Sequence, residues 1–145
     1  MLFRSTSQEN TFTNCTLGTD TVSRSAANAT VELASGTARN TFENCVFPFQ
    51  TSAATPLGVL VSAAAGIDRW QLFDNCSFIN NVQSTSTTMN GLATLPASAG
   101  GLLLMKNSTL VGITEFGTDS TTRGQVYVDG AAPTAATSGI AVNPT

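Results

Sequence analysis

The chain has 145 residues, 41% of them apolar and only 10% charged, with six Lys and Arg against nine Asp and Glu. It contains no His, so a Ser-His-Asp triad, a Cys-His pair and a His-ligated metal site are all excluded within it. A net charge of −3 leaves no basic surface for nucleic acid, and the ample hydrophobicity is not that of a disordered chain.

In chain order, residues 1–9 read as an N-terminal arm. Met1-Leu2-Phe3-Arg4-Ser5-Thr6 turns polar at once, with no signal-peptide core and no cleavage pattern. Nothing later reaches the roughly 18–20 consecutive apolar residues of a membrane span, so no membrane partner is expected. The first organised element is Phe12-Thr13-Asn14-Cys15-Thr16-Leu17. A strand-like piece follows at 29–33. The element then returns as Phe42-Glu43-Asn44-Cys45-Val46-Phe47, followed by strand-like 58–63. It returns again as Phe73-Asp74-Asn75-Cys76-Ser77-Phe78 and as Met105-Lys106-Asn107-Ser108-Thr109-Leu110, the last preceded by a Gly100-Gly101 turn. A further strand-like piece covers 125–128, and 130–145, rich in Ala, Thr, Pro and Gly, reads as an extended C-terminal tail.

The four Asn lie 30, 31 and 32 residues apart, which defines an internal repeat over 10–129. Side chains alternate between the faces of a strand. Phe12 and Cys15 can face the same way only if the phase slips by one residue between them, so each copy is a strand, an Asn corner and a second strand. Asn suits the corner because it tolerates left-handed backbone angles. Gly and Ser clusters between the copies supply the turns. Units of this length stack about 4.8 Å apart as parallel strands, and equivalent residues then form columns. Phe12, Phe42, Phe73 and Met105 form one core column, and Leu17, Phe47, Phe78 and Leu110 another. Cys15, Cys45, Cys76 and Ser108 form a column of small interior groups. Asn14, Asn44, Asn75 and Asn107 form an amide ladder. The expected fold is an all-β solenoid of about four coils.

The repeated Phe-x-Asn-Cys-x-Phe corner resembles the right-handed parallel β-helix, a family with inward Asn ladders at a corner. The resemblance covers roughly residues 8 to 130. Ala38-Arg39-Asn40-Thr41-Phe42-Glu43-Asn44-Cys45, Asp68-Arg69-Trp70-Gln71-Leu72-Phe73-Asp74-Asn75-Cys76 and the Val142-Asn143-Pro144-Thr145 ending look like β-helical virion proteins of tailed bacteriophages. That resemblance implies a non-enzymatic capsid decoration or cement protein on the virion surface. It would be made in the host cytoplasm, with sister subunits (a homotrimer) and the major capsid protein as partners. Open terminal edges on a short stack point the same way, since solenoids need caps or partners.

Three Cys, with no C-x-x-C pair, fit a reducing compartment and buried small hydrophobes rather than disulfides, ligands or reactive thiols. No acidic cluster at loop spacing points to a metal, and no cofactor is expected. The weak catalytic candidates are Glu43 and Asp74, equivalent positions of adjacent copies, where two carboxylates about 5 Å apart would perturb each other. The competing reading is an exposed column in which Lys106 offsets Asp74. Asp68-Arg69-Trp70 offers sugar stacking, against a turn with Trp70 closing an edge; Tyr127 reads as packing. Sequons occur at Asn14, Asn28, Asn75 and Asn107, but three lie at the corner, where the side chain is expected inside. The Thr- and Ser-rich 84–88 and 118–122 lack a phosphate-loop pattern. The alternative function is a carbohydrate-binding or carbohydrate-cleaving β-helix such as a tailspike module. An adhesin or autotransporter passenger would need a secretion signal.

Overall fold

A computed structural model describes residues 3–5, 7–24, 29–51, 61–63, 67–81, 92–94, 100–113, 126–129 and 141–142. The described residues form β-strands and connections with no helix, and every strand pairing is parallel. In chain order the strands are β1 (Phe3–Ser5), β2 (Thr11–Thr13), β3 (Thr19–Arg24), β4 (Val31–Leu33), β5 (Ala38–Glu43), β6 (Val46–Thr51) and β7 (Val61–Ala63). They continue with β8 (Asp68–Asp74), β9 (Ser77–Asn80), β10 (Ala93–Thr94), β11 (Leu102–Lys106), β12 (Thr109–Val111), β13 (Val126–Val128) and β14 (Ala141–Val142). They make three sheets, ordered β1-β4-β7-β10, β2-β5-β8-β11-β13 and β3-β6-β9-β12-β14. Successive strands up to β12 enter the three sheets in turn, so each strand's neighbours come from the repeats before and after it.

The period-2 argument accounts for the second and third sheets. Along β5 burial alternates from Ala38, through Asn40, to Phe42; Asn44 is exposed, and burial resumes at Cys45 and Phe47. The phase slip is a left-handed residue: φ is 56° at Asn14, 52° at Asn44, 53° at Asn75 and 48° at Asn107. Asp129, φ 48°, is also left-handed just after β13, one residue before the position that the register aligns with Asn107.

A second left-handed site stands at the start of the same sheet, at Glu9, Arg39 and Arg69, with φ of 59°, 52° and 57°. Neither Glu nor Arg favours such angles, so this bend is invisible to residue preference. It also absorbs the uneven repeat. Ala38 pairs with Asp68, but Asn40 pairs with Gln71, so β8 carries one extra residue at a bulge. Asp68-Arg69-Trp70 therefore begins a strand rather than forming a turn.

The core is built by stacking like on like. Phe12, Phe42, Phe73 and Met105 are in register, as are Phe47, Phe78 and Leu110. Phe42 and Phe73 stack at 4.7 Å and 4°, and Phe47 and Phe78 at 4.7 Å and 10°. These separations equal the spacing of paired strands, so the register itself imposes the ring stacks. Phe47 meets Phe42 and Phe73 edge-on, which locks the two columns together. Leu17 ends the second column, packing against the core while half-buried. Just beyond it Gly18, φ 129°, lies so close to the Pro48 carbonyl that no Cβ fits.

Described residues outside 10–129 also join the sheets. Phe3–Ser5, in the expected arm, pairs with β4, and Ala141–Val142, in the expected tail, pairs with Leu110 and Val111 of β12.

Candidate functional site

The strand-to-corner geometry lines up charged side chains on the outer face of the second sheet. Thr13, Glu43, Asp74 and Lys106 stand opposite one another in β2, β5, β8 and β11. Lys106 Nζ donates to Asp74 Oδ2 at 2.8 Å. That hydrogen bond and the Asp74 charge raise the Lys106 pKa, and Glu43 and Asp129 add to the effect. The two carboxylates are thus neighbours in one outward column, with Asp74 already bound to an ammonium.

The thiol column is internal. Cys45 and Cys76 are 1% exposed, while Cys15, at the end of the stack, is half-buried. Each inner thiol faces two carbonyls. Cys45 donates towards Phe12 O and Glu43 O at 3.4 and 3.3 Å, and Cys76 towards Phe42 O and Asp74 O at 3.4 and 3.5 Å. Ser108 Oγ repeats the pattern with Phe73 O and Lys106 O, at 3.2 and 3.1 Å. A hydroxyl therefore substitutes chemically for the thiol in the fourth copy. Burial pushes the Cys76 thiol up to about 11 and also raises Cys45, which suits packing and disfavours nucleophilic chemistry.

The corner amides require a correction. Asn14, Asn44, Asn75 and Asn107 are exposed, not turned inward. Among them one amide-to-amide rung forms, Asn75 Nδ2 to Asn44 Oδ1 at 2.6 Å, while the Asn107 backbone N–H donates to Asp129 Oδ1 at 2.8 Å. The left-handed backbone, rather than an inward side chain, explains Asn at the corner. The sequons at Asn14, Asn75 and Asn107 therefore stand on exposed, not internal, side chains; Asn28 lies outside the described residues, as do 84–88 and 118–122.

The inward ladder is elsewhere, four residues earlier. Asn40 and Gln71 are fully buried, and Asn10 is half-buried. Asn10 donates from its backbone N and Nδ2 to Asn40 Oδ1, at 2.9 and 3.0 Å. Asn40 in turn donates from the same two atoms to Gln71 Oε1, at 3.3 and 3.1 Å. Gln71 Nε2 ends the series on Thr37 O at 3.2 Å. Leu103 and Val126, both buried, continue the column without an amide. The 30- and 31-residue spacing of Asn10, Asn40 and Gln71 is the signal that could have revealed it.

Arg69 approaches Asp68 at 3.4 Å, both side chains being largely exposed. Trp70 is half-buried and pairs with Leu102 of β11. Tyr127, also half-buried, shares with Leu72, Leu102 and Leu104 the lining of an open depression of about 520 Å³ on the outer face. Among the described residues no three His, Cys, Asp or Glu side chains converge as metal ligands, and no helix is long and apolar enough to cross a membrane. No protein-family model, curated protein or solved structure matches the chain.

Proposed function

We propose that the chain is a right-handed parallel β-helix of about four coils and a non-enzymatic structural protein of a virion, a decoration or cement protein that braces a capsid. The observation that carries this reading is the in-register repetition of parallel strands through three sheets, whose end strands pair on one side only among the described residues. A stack of this kind is completed by association, and its outward face presents hydroxyls and an apolar strip rather than a catalytic cleft. The partners are sister subunits, as a homotrimer, and the major capsid protein. Carbohydrate cleavage is the weaker reading, because Asp74 is engaged by Lys106 on an open face.

The test is to add the purified chain to tailed-phage shells stripped of decoration proteins. Co-sedimentation with the shells, and a higher temperature of shell disruption, are expected. Failure to bind, together with release of reducing ends from a surface polysaccharide, would overturn the reading.

A further inference from the structure

The outer face of the second sheet changes character along its own register. Thr11, Thr41, Leu72, Leu104 and Tyr127 stand opposite one another in β2, β5, β8, β11 and β13. Two hydroxyls are followed by three apolar side chains. Beside them Trp70 pairs with Leu102, which is 37% exposed. A sheet face turned to water ordinarily carries polar residues at these positions, as Thr11 and Thr41 do here. The contiguous apolar half is the kind of surface that marks association.

The two margins of this strip differ in charge. At the strand starts Arg39 pairs with Glu9, and Arg69, its side chain 64% exposed, reaches Asp68 only at 3.4 Å, so this margin is balanced in charge. At the strand ends Lys106 binds Asp74, Glu43 stands in register with Asp74, and Asp129 follows β13, so this margin carries three carboxylates to one ammonium. In a ring of copies that run in the same sense, the strand-start margin of each copy meets the strand-end margin of the next. Arg69 then faces the carboxylates in excess, and the apolar strips close on one another. Both halves of the contact are present on one chain.

We infer that the apolar strip of Leu72, Leu102, Leu104 and Tyr127 is the contact between copies of this chain, with Arg69 of one copy against the carboxylate margin of the next. This inference rests on the structural reading above and names the surface through which the subunits associate. Its test is the molar mass of the intact chain by sedimentation equilibrium, for the wild type and for Leu102→Lys, Arg69→Glu and Thr41→Lys. The wild type is expected as a closed oligomer. Leu102→Lys should run as single chains with an unchanged strand spectrum, and Arg69→Glu, at an exposed side chain, should dissociate at higher concentration than the wild type. Thr41→Lys, on the polar half of the same column, should keep the oligomer. A wild type of single-chain mass, a Leu102→Lys oligomer of wild-type mass or an Arg69→Glu variant of unchanged affinity would overturn the assignment. Shell binding is read separately: an oligomer that never co-sediments with shells removes the virion reading and leaves this contact intact.

Discussion

Asn40 and Gln71 are joined across adjacent parallel strands by two hydrogen bonds into one oxygen, from the Asn40 backbone N–H and from its Nδ2, and both side chains are sealed from solvent. Polar groups so placed stabilise only while every rung is satisfied. Asn40→Ala removes the Nδ2 donor to Gln71 Oε1, leaving only the backbone N–H, and takes the Oδ1 acceptor from the Asn10 N–H and Nδ2 groups. A loss of roughly 1–3 kcal/mol for each stranded group is expected by urea denaturation. The double replacement Asn40→Leu with Gln71→Leu should cost less than the sum of the single changes, because the buried amides are removed together. Additive losses would show that the ladder is not a unit.

The thiol column gives a pH dependence. The Cys76 thiol, raised to about 11 in the folded chain, has an ordinary value of 9.0. Below 9 the thiol is protonated in both states. As pH rises towards 11 the unfolded chain loses its proton first and is favoured, so stability falls through that window and then levels. Cys76→Ser should make the decline shallower, the remainder belonging to Cys45 and Lys106, whose pKa values are also raised; Ser108 already makes the same contacts with a hydroxyl. Equal alkaline slopes in wild type and variant would show that other groups govern the loss.

Thiol labelling separates the column by position. Cys15 is half-buried and should react with an exposed-thiol reagent in the native chain, whereas Cys45 and Cys76 should react only after denaturant is added. Three thiols reacting together in native buffer would contradict the stacked core.

The Phe column should respond unevenly along its length. Phe73 is fully buried between Phe42 and Met105, so Phe73→Ala is expected to cost about 3–5 kcal/mol. Phe12 ends the column and is half-buried, so Phe12→Ala should cost clearly less in the same denaturation measurement.

At the corner the backbone angle, not the side chain's burial, is at stake. Asn75→Gly should be close to neutral in thermal melts, while Asn75→Ala should lose roughly 1–2 kcal/mol, the cost of a left-handed conformation with a Cβ. Equal losses in both variants would mean that the Asn75–Asn44 rung carries the corner.

How far the fold could be read from residues follows from these cases. Phe12, Phe42 and Phe73 recur at one spacing beside Asn, and that recurrence alone fixes the strands, the corner and the register, because parallel stacking brings equivalents together. The third-repeat insertion was visible as a 31-residue interval, but the bulge at Arg69 that accommodates it was not, since Arg has no preference for left-handed angles. Asn10, Asn40 and Gln71 carried the period yet were overshadowed by the more regular corner Asn.

For the candidate surface the division is similar. The sequence by itself determined which residues share a column, including Glu43, Asp74 and Lys106, since this needs only the repeat length. The tertiary structure alone decided that the corner amides face outward. A left-handed residue reverses the alternation by one position, and its effect on burial depends on the sheets that close around it. That reversal exposed the corner amides, whereas simple alternation with Phe42 and Phe73 buries Asn40 and Gln71 and turns Leu72, Leu104 and Tyr127, each half-buried, to the outer face.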